Sequence, residues 1–429
     1  MIERPRGTRD FLPEEMARRR RVEGAMRRTA LGFGYGEVQT PTFEHTDLFV
    51  ARSGEAVVEE MYVFQDKGGR SLALRPELTA AVMRMYASDL THAPKPLRLF
   101  YSGPCFRYER PQKGRYREFF QFGAELIGSP NPEGDAEIIA LAVRCIGSAG
   151  LSGTVVRIGH VGALRALLEW MGVAGPLAAR AFPLIDKGDM RGLEELLMDH
   201  VPHERLQALM DYVSASGGPQ VVASARAAFA AAPAVVGHLA RLEEALEHLS
   251  HYPDIIFTVH LGIARGLDYY TGVVFEVDYP GLGAEKQVCG GGAYELGQVF
   301  GLKEVPATGF AIGLDRVVLA AGEAAAEGGA PKEQDREGAV VVPMDRSGAV
   351  MALAIKAGEA VRAAGLRAEL EVLRRPVGKA LKAADEQHLR WAVIVGTDEA
   401  ARGVVALKDL VSGEQRKVPL GDLAAAMGR

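Results

Sequence analysis

Arginines, carboxylates and an amide recur in this chain at places where packing alone has little use for them. The densest stretch is Cys105 to Glu125, CFRYERPQKGRYREFFQFGAE. Side chains on a strand alternate between faces. Read as a hairpin, the first strand sets Cys105, Arg107 and Glu109 on one face against Phe106 and Tyr108 on the other. The second sets Gln121, Gly123 and Glu125 against Phe120, Phe122, Ala124 and Leu126. One face is aromatic and is expected to pack inward, on a central strand. The other gathers an arginine, two carboxylates and an amide, with Gly123 leaving room beside them. The connection, Arg110 to Arg117, carries Arg110, Lys113, Arg115 and Arg117 and no acid. Chain reversal alone takes about 2–5 residues. A cationic flap over a polar floor is a way to hold a polyphosphate beside a small charged ligand.

Three further segments put charge where structure gives little reason for it. In LALRPELTAA (72–81), Glu77 falls in the first turn of a helix expected to open at Pro76, where an acid is favoured by the helix dipole. In ARGLDYYTG (264–272), Arg265 precedes two tyrosines at a strand start; adjacent residues point to opposite faces, so only one ring can line a pocket. In GFAIGLDRVVLAAG (309–322), Asp315 suits a helix N-terminus, whereas Arg316 opposes the dipole and is better explained by a facing anion. Glycines at both ends of the preceding strand allow close approach of a ligand. Arg107, Arg265 and Arg316 could brace phosphate oxygens bidentately, and Glu77, Gln121 and Glu125 could read an ammonium or a ring N–H. The inventory suits a triphosphate and an amino acid.

Composition narrows the class. The chain has 429 residues, a formal net charge of −5 and three cysteines far apart in sequence. That gives no global nucleic-acid signature and argues against a disulfide framework or a CxxC metal site. No HExxH occurs and no metal site is expected. The N-terminal MIERPRGTRDFLPEE lacks the apolar core of a signal peptide, and no run of about 18 apolar residues marks a membrane span. A cytoplasmic protein without membrane partners is expected. Neither GFGYG at 32–36 nor the glycine run at 290–292 has the strand–turn–helix context of a dinucleotide fingerprint, and no GxxxxGK[ST] is present.

The elements that must position these residues read as an α+β domain on an antiparallel sheet, spanning 1–161 and 252–327. Alanine- and leucine-rich residues 162–251 read as a helical insertion, and 328–338 as a linker of glycine, proline and alternating charge. Residues 339–429 alternate strands with amphipathic helices, predicting a small α/β domain with a mostly parallel sheet. There, Arg374 to Lys382 holds Arg374, Arg375, Lys379 and Lys382 and no acid.

Six segments, RGTRDFLP (6–13), TPTFEHTDLF (40–49), LRPELTAA (74–81), GPCFRYERPQKGRYREFFQFGAE (103–125), RGLDYYTG (265–272) and GFAIGLDRVVLA (309–320), together resemble the class II aminoacyl-tRNA synthetases, and among them the histidyl-tRNA synthetases. RRPVGKALKAAD and GVVALKDLVSGEQ resemble that family's anticodon-binding domain. The resemblance implies ATP-dependent activation of L-histidine and transfer to the 3′ end of tRNA(His), by a homodimer with Pro41 at its interface and Mg2+ accompanying ATP. It implies Arg107 on the α-phosphate, Glu109, Arg115 and Arg316 on ATP, and Arg265 as the catalytic arginine with Arg107. It implies Glu77, Thr79, Gln121, Glu125, Arg265, Tyr269 and Tyr270 around histidine. Gln112, Lys113, Arg117, Arg374, Arg375 and Lys379 are expected to face tRNA. The family's usual GGRYDGL-like segment is replaced by CGGGAYELG, with Ala293 and Glu295 for its arginine and aspartate. The alternative is a non-catalytic, histidine-sensing regulatory paralogue of ATP phosphoribosyltransferase; such proteins lack the C-terminal module.

Overall fold

The computed structural model describes residues 2–53, 55–108, 116–264, 270–327 and 336–428. Backbone contacts divide it into two units, 1–328 and 329–429.

In the first unit the strands are β1 (Gly36–Glu37), β2 (Phe43–His45), β3 (Tyr62–Gln65), β4 (Ser71–Leu74), β5 (Leu97–Phe106), β6 (Glu118–Ile127), β7 (Val155–His160), β8 (Ser216–Gly217), β9 (Phe257–His260), β10 (Tyr270–Asp278), β11 (Gln287–Glu295) and β12 (Pro306–Gly313). Among the described residues nine of them form one sheet in the order β1-β5-β6-β12-β11-β10-β7-β9-β8, and β2-β4-β3 form a small second one. The central pairs, from β5 to β7, are antiparallel. β6 is therefore interior, and its seven residues from Gln121 to Ile127 are all buried. The glycine run is part of a strand. Gly290 to Gly292 lie inside β11, where Gly291 and Gly292 let neighbouring strands and rings approach closely.

The helices are α1 (Pro13–Gly32), α2 (Thr46–Ser53), α3 (Thr79–Met85), α4 (Pro132–Ser148), α5 (Val161–Trp170), α6 (Gly175–Lys187), α7 (Met190–Leu197), α8 (His203–Ser214), α9 (Gln220–Ala228), α10 (Pro233–Ser250) and α11 (Leu314–Glu327). Both α1 and α4 begin with proline at the first turn, where a missing N–H leaves no bond unmade. Helices α5 to α10 lie between β7 and β9, interrupted by the two-residue β8. One face of the sheet, with Phe122, Ala124, Phe310, Ile312, Val273 and Phe275, merges with α1, α4 and the insertion into the main core. The other face buries Tyr101, Cys105, Tyr270, Val274 and Tyr294 against Leu78, Val82 and Met83.

Two local expectations change. The helix after Pro76 starts at Thr79 rather than at the proline, and Glu77 lies before it with its carboxylate accepting from the Ala80 amide at 3.1 Å. Tyr108 does not pack inward with Phe106. β5 ends at Phe106, and Tyr108 is 55% exposed, edge-on to Tyr62.

The second unit contains β13 (Ala339–Pro343), β14 (Ala368–Leu370), β15 (Trp391–Val395), β16 (Val404–Asp409) and β17 (Gln415–Pro419), with α12 (Gly348–Ala363), α13 (Val377–Glu386), α14 (Thr397–Arg402) and α15 (Leu423–Ala426). Its sheet is mixed rather than mostly parallel. β13 pairs parallel with β14 and β15, while β15, β16 and β17 run antiparallel. A parallel return needs a crossover of a dozen or more residues, and the short connection through α14 cannot supply it. Apolar side chains cover both sheet faces, Val350, Leu353 and Val361 of α12 on one and Ala380 and Ala384 of α13 on the other.

Candidate active site

Glu125 lies at the centre of the polar floor and is 1% exposed. Tyr101 donates its hydroxyl to Oε1 at 2.8 Å, and Tyr294 donates to Oε2 at 2.8 Å. Strand register builds this clamp. Tyr101 of β5 stands opposite Gly123, and a Cβ at position 123 would lie 2.5 Å from the Tyr101 oxygen. Gly309 of β12 stands opposite Glu125, and a Cβ there would lie 1.8 Å from Oε2. The room expected for a ligand at Gly309 is taken by the glutamate itself. Thr79 Oγ1 lies 3.4 Å from the Tyr101 hydroxyl, which links the start of α3 to the same cluster.

Burial is the largest influence on the Glu125 carboxyl and pushes it up to about 7. Hydrogen bonds from Tyr294, Tyr101 and Thr79 oppose the rise, and the nearby Glu77 carboxylate adds to it. A buried acceptor near neutrality, with both oxygens fixed, can take an N–H from a small ring and exchange little energy with water.

Tyr270 opens β10, is 5% exposed and pairs with Tyr294. The register shift between Tyr270 and Val274 keeps both on the Glu125 face. Arg265 and Tyr269 fall outside the described residues, as do Glu109, Gln112, Lys113 and Arg115.

The opposite end of the floor carries the cations. Gln121 pairs across to Gly103 and to Gly313, and its Oε1 accepts from the Cys105 thiol at 3.4 Å. Burial pushes that thiol up to about 12, so it is a packing donor and not a nucleophile. Arg107 follows the end of β5; its Nε donates to the Pro76 carbonyl at 3.0 Å and its guanidinium lies 5.2 Å from the Phe119 ring centre. Arg316, in the first turn of α11, donates to the Gln287 carbonyl at 2.6 Å. Antiparallel register puts the end of β5, the start of β6, the end of β12 and the start of β11 at one edge, so Arg107 and Arg316 share it with Gln121. Glu125 is four residues farther along β6, about 13 Å at the usual strand rise.

Several residues that shape this site are not apparent from local pattern. Tyr101 and Tyr294 are two; their signal is strand parity, Tyr101 with Gly103 and Cys105, and Tyr294 with the glycines before it. Asp315 is another. It accepts from Arg9 at 2.5 Å, Arg19 at 3.1 Å and the Phe120 amide at 2.7 Å, and so ties the 6–13 segment to the helix that carries Arg316. Arg75 is 3% exposed and donates to the carbonyls of Pro104, Thr40 and Pro41 at 2.8–3.0 Å, joining the Pro41 segment to β5.

Arg117 lies at the other side of the hairpin end. Its amide donates to the Gly7 carbonyl at 2.8 Å and its guanidinium stacks 4.2 Å from the Tyr108 ring centre. In the second unit, Arg374 has φ of 57° and is exposed beside Val372 and Leu373, which are 73% and 71% exposed. Lys379 on α13 is also exposed, whereas Arg375 is held by the buried Glu371 at 2.7 Å. Among the described residues no group of three or more His, Cys, Asp or Glu could hold a metal ion, and no helix is long and apolar enough to cross a membrane.

Comparison with known proteins bears on the whole chain. Residues 7–317 match the Histidyl-tRNA synthetase family, and residues 338–428 match the Anticodon binding domain. The chain is 48% identical to "Histidine--tRNA ligase" of Archaeoglobus fulgidus over 415 residues, 96% of each protein. Among solved structures it is similar to histidyl-tRNA synthetase from Nostoc sp. PCC 7120, with TM-score 0.81, 25% identity and coverage of 100% of this chain and 99% of that one. It is also similar to a Bacillus halodurans structure described as an ATP phosphoribosyltransferase regulatory subunit/histidyl-tRNA synthetase, with TM-score 0.78, 27% identity and coverage of 92% and 98%. The profile match over most of the catalytic unit and the near-full-length identity to a curated relative lead to one conclusion: this chain belongs to the histidyl-tRNA synthetase family.

Proposed function

We propose that the chain is a histidine–tRNA ligase: it activates L-histidine with ATP and passes the histidyl group to the 3′ end of tRNA(His). In the first step a histidine carboxylate oxygen attacks the α-phosphorus and the bond to pyrophosphate breaks. In the second a terminal ribose hydroxyl of tRNA attacks the adenylate carbonyl and AMP leaves. The observation that carries this reading is the separation of chemistries on one floor. A buried carboxylate clamped by two tyrosines stands about 13 Å from an edge that bears Arg107 and Arg316.

The family resemblance supports the roles that follow, and for Glu77, Thr79, Gln121, Glu125, Tyr270, Arg107 and Arg316 the geometry is compatible with them. The imidazole N–H donates to Glu125, with the Tyr270 ring closing the pocket and Tyr269 assigned to the histidine site by the family resemblance alone. Glu77 and Thr79 take the ammonium, and Gln121 lies between the amino acid and the phosphates. Arg107 meets the α-phosphate, Arg316 the far phosphate, and Glu109 and Arg115 of the flap the rest of ATP. Arg265 supports the charge that grows on the transferring group. Mg2+ enters with ATP as part of the substrate.

A histidine-sensing regulatory role is the weaker reading, since residues 338–428 match the anticodon-binding family. Within that unit the exposed Arg374 and Lys379 are cations for tRNA, and Arg375 is held back by Glu371. A homodimer is supported by the β2-β4-β3 sheet, where Phe43, Val63 and Phe64 are 52%, 41% and 42% exposed, next to Pro41. Three buried cysteines far apart in sequence suit a reducing cytoplasm.

ATP–pyrophosphate exchange measured with each of the twenty amino acids tests the reading. Exchange that depends on histidine alone is expected. Exchange with another amino acid, or with none, overturns it.

A further inference from the structure

Behind the floor, on the opposite face of the sheet from Glu125, lies a polar cavity of about 210 Å³. Its walls come from the start of α4, the end of β7, the insertion helix α10 and β11, and they include Asp135, His160, His238, Arg241, Ala293 and Glu295. Register puts it on that face: Ala293 pairs with Thr308, one residue from the Gly309 that stands opposite Glu125.

Two buried polar atoms in its wall lack hydrogen-bond partners among the described residues. His160 is 0% exposed; its Nδ1 accepts from the Ala163 amide at 3.1 Å, so the ring proton sits on Nε2, and that donor is unpaired. Asp135 is 3% exposed; Thr308 and Arg241 both stabilise its carboxylate, but its Oδ2 has only Arg241 at 3.6 Å, an ion pair too long to be a good hydrogen bond. Native folds leave few such groups without partners. A single bridging water occupies about 30 Å³, so the space is far larger than one water needs.

The charges narrow what fits. Arg241, beside His238 whose ring is tilted at 4.9 Å from that of His160, supplies a cationic wall. Asp135 and Glu295 supply an anionic one. A simple anion meets two carboxylates here, and a simple cation meets a guanidinium. A small molecule with ammonium and carboxylate a few ångströms apart satisfies both walls and pairs both orphaned atoms. We propose that this cavity is a second ligand site, for a free α-amino acid, with its carboxylate toward Arg241 and His160 and its ammonium toward Asp135. Thr271, also in the wall, directly follows Tyr270, and Ala293 and Glu295 flank Tyr294. An occupant therefore bears on the two strands that carry Tyr270 and Tyr294. The site stands independently of the activity proposed above.

Equilibrium dialysis of the full chain with labelled glycine, serine and histidine tests it. The measurement uses Glu125→Gln protein, so that binding at the floor is weakened separately. One amino acid per chain is expected in that protein, with affinity reduced at least tenfold by Asp135→Asn and also by Ala293→Met, which fills the cavity from the strand. Thermal unfolding checks that each variant folds, and His238→Ala replaces Asp135→Asn should the latter not fold. No binding at 10 mM of any of the three, or binding unmoved by every cavity variant, overturns the proposal and leaves the space to water. Should wild-type and Glu125→Gln proteins bind histidine equally, the floor reading fails while this one stands.

Discussion

Replacing Glu125 by glutamine separates what this residue does for folding from what it does for chemistry. A carboxyl that titrates near 7 instead of its ordinary 4.5 is bound to its proton more tightly in the folded chain than in the unfolded one. Its contribution to stability is therefore fully present below pH 4.5 and is lost as pH rises through 7. At pH 8 the ionised side chain costs the fold about 3 kcal/mol relative to a neutral one. Glutamine has nearly the same shape; its carbonyl accepts from one tyrosine and its amide can donate to the other, because a phenol oxygen also accepts. Glu125→Gln is expected to be more stable than wild type by about 2–3 kcal/mol at pH 8 and about equal to it at pH 4.5. Groups such as Asp135, which burial pushes up to about 6, titrate alike in both proteins and drop out of the difference. The same variant is expected to lose roughly 100-fold or more in histidine-dependent pyrophosphate exchange, since the imidazole forfeits a charge-assisted bond in a dry pocket. Thermal unfolding of both proteins at pH 5 and pH 8, with exchange measured at pH 8, checks the pair of outcomes. A variant less stable than wild type at pH 8, or a stability difference that ignores pH, would refute the account of the clamp.

Tyr294→Phe removes one donor from the Glu125 carboxylate and should move the acidic limb of the exchange profile up by about one pH unit; an unmoved limb with only a lower maximum would mean that the tyrosine merely packs. Gly309→Ala places a methyl 1.8 Å from Glu125 Oε2, so a rise of roughly 100-fold in KM for histidine is expected in calorimetric and exchange measurements, with little change in KM for ATP. Arg265→Ala should slow exchange severely while histidine binding by dialysis survives, because its charge matters most in the transition state; exchange within a few-fold of wild type would remove it from that role. Arg374→Ala with Lys379→Ala should raise KM for tRNA and leave pyrophosphate exchange unchanged, and an unaltered KM would leave these residues as a solvated surface.

Strand parity made much of the floor legible, because alternation is a local rule. Cys105, Gln121 and Glu125 do share a face, and Phe122, Ala124 and Leu126 do face the main core. What parity could not supply is which strand lies beside which. Tyr294 reaches Glu125 only because β12, which carries no bulky residue at position 309, separates their strands. That is a fact of topology across 169 residues of chain. The glycine run gave no strand signal for a related reason: glycine weakens a strand, and in β11 it is tolerated because neighbouring backbone and rings occupy the space a side chain would need. Arg316 invites an anion on dipole grounds, whereas the role of Asp315 next to it depended on Arg9 and Arg19, both distant in sequence and on no common period with it.

The floor is poor material for stability, and its placement explains how the fold tolerates it. Gly123, Gly292 and Gly309 contribute no side-chain burial, and Glu125 opposes folding once ionised. The same strands turn Phe122, Phe275, Phe310 and Ile312 to the opposite face, where α1 and α4 bury them completely or nearly so. At roughly 1.5–3 kcal/mol for each large side chain buried, four such residues outweigh the cost of one ionised glutamate. Each strand thus serves both faces at once, and a substitution on the apolar face that shifts β6 or β12 by a fraction of an ångström must also displace Glu125 from its tyrosines. Loss of activity is therefore expected to precede loss of fold when that core is loosened.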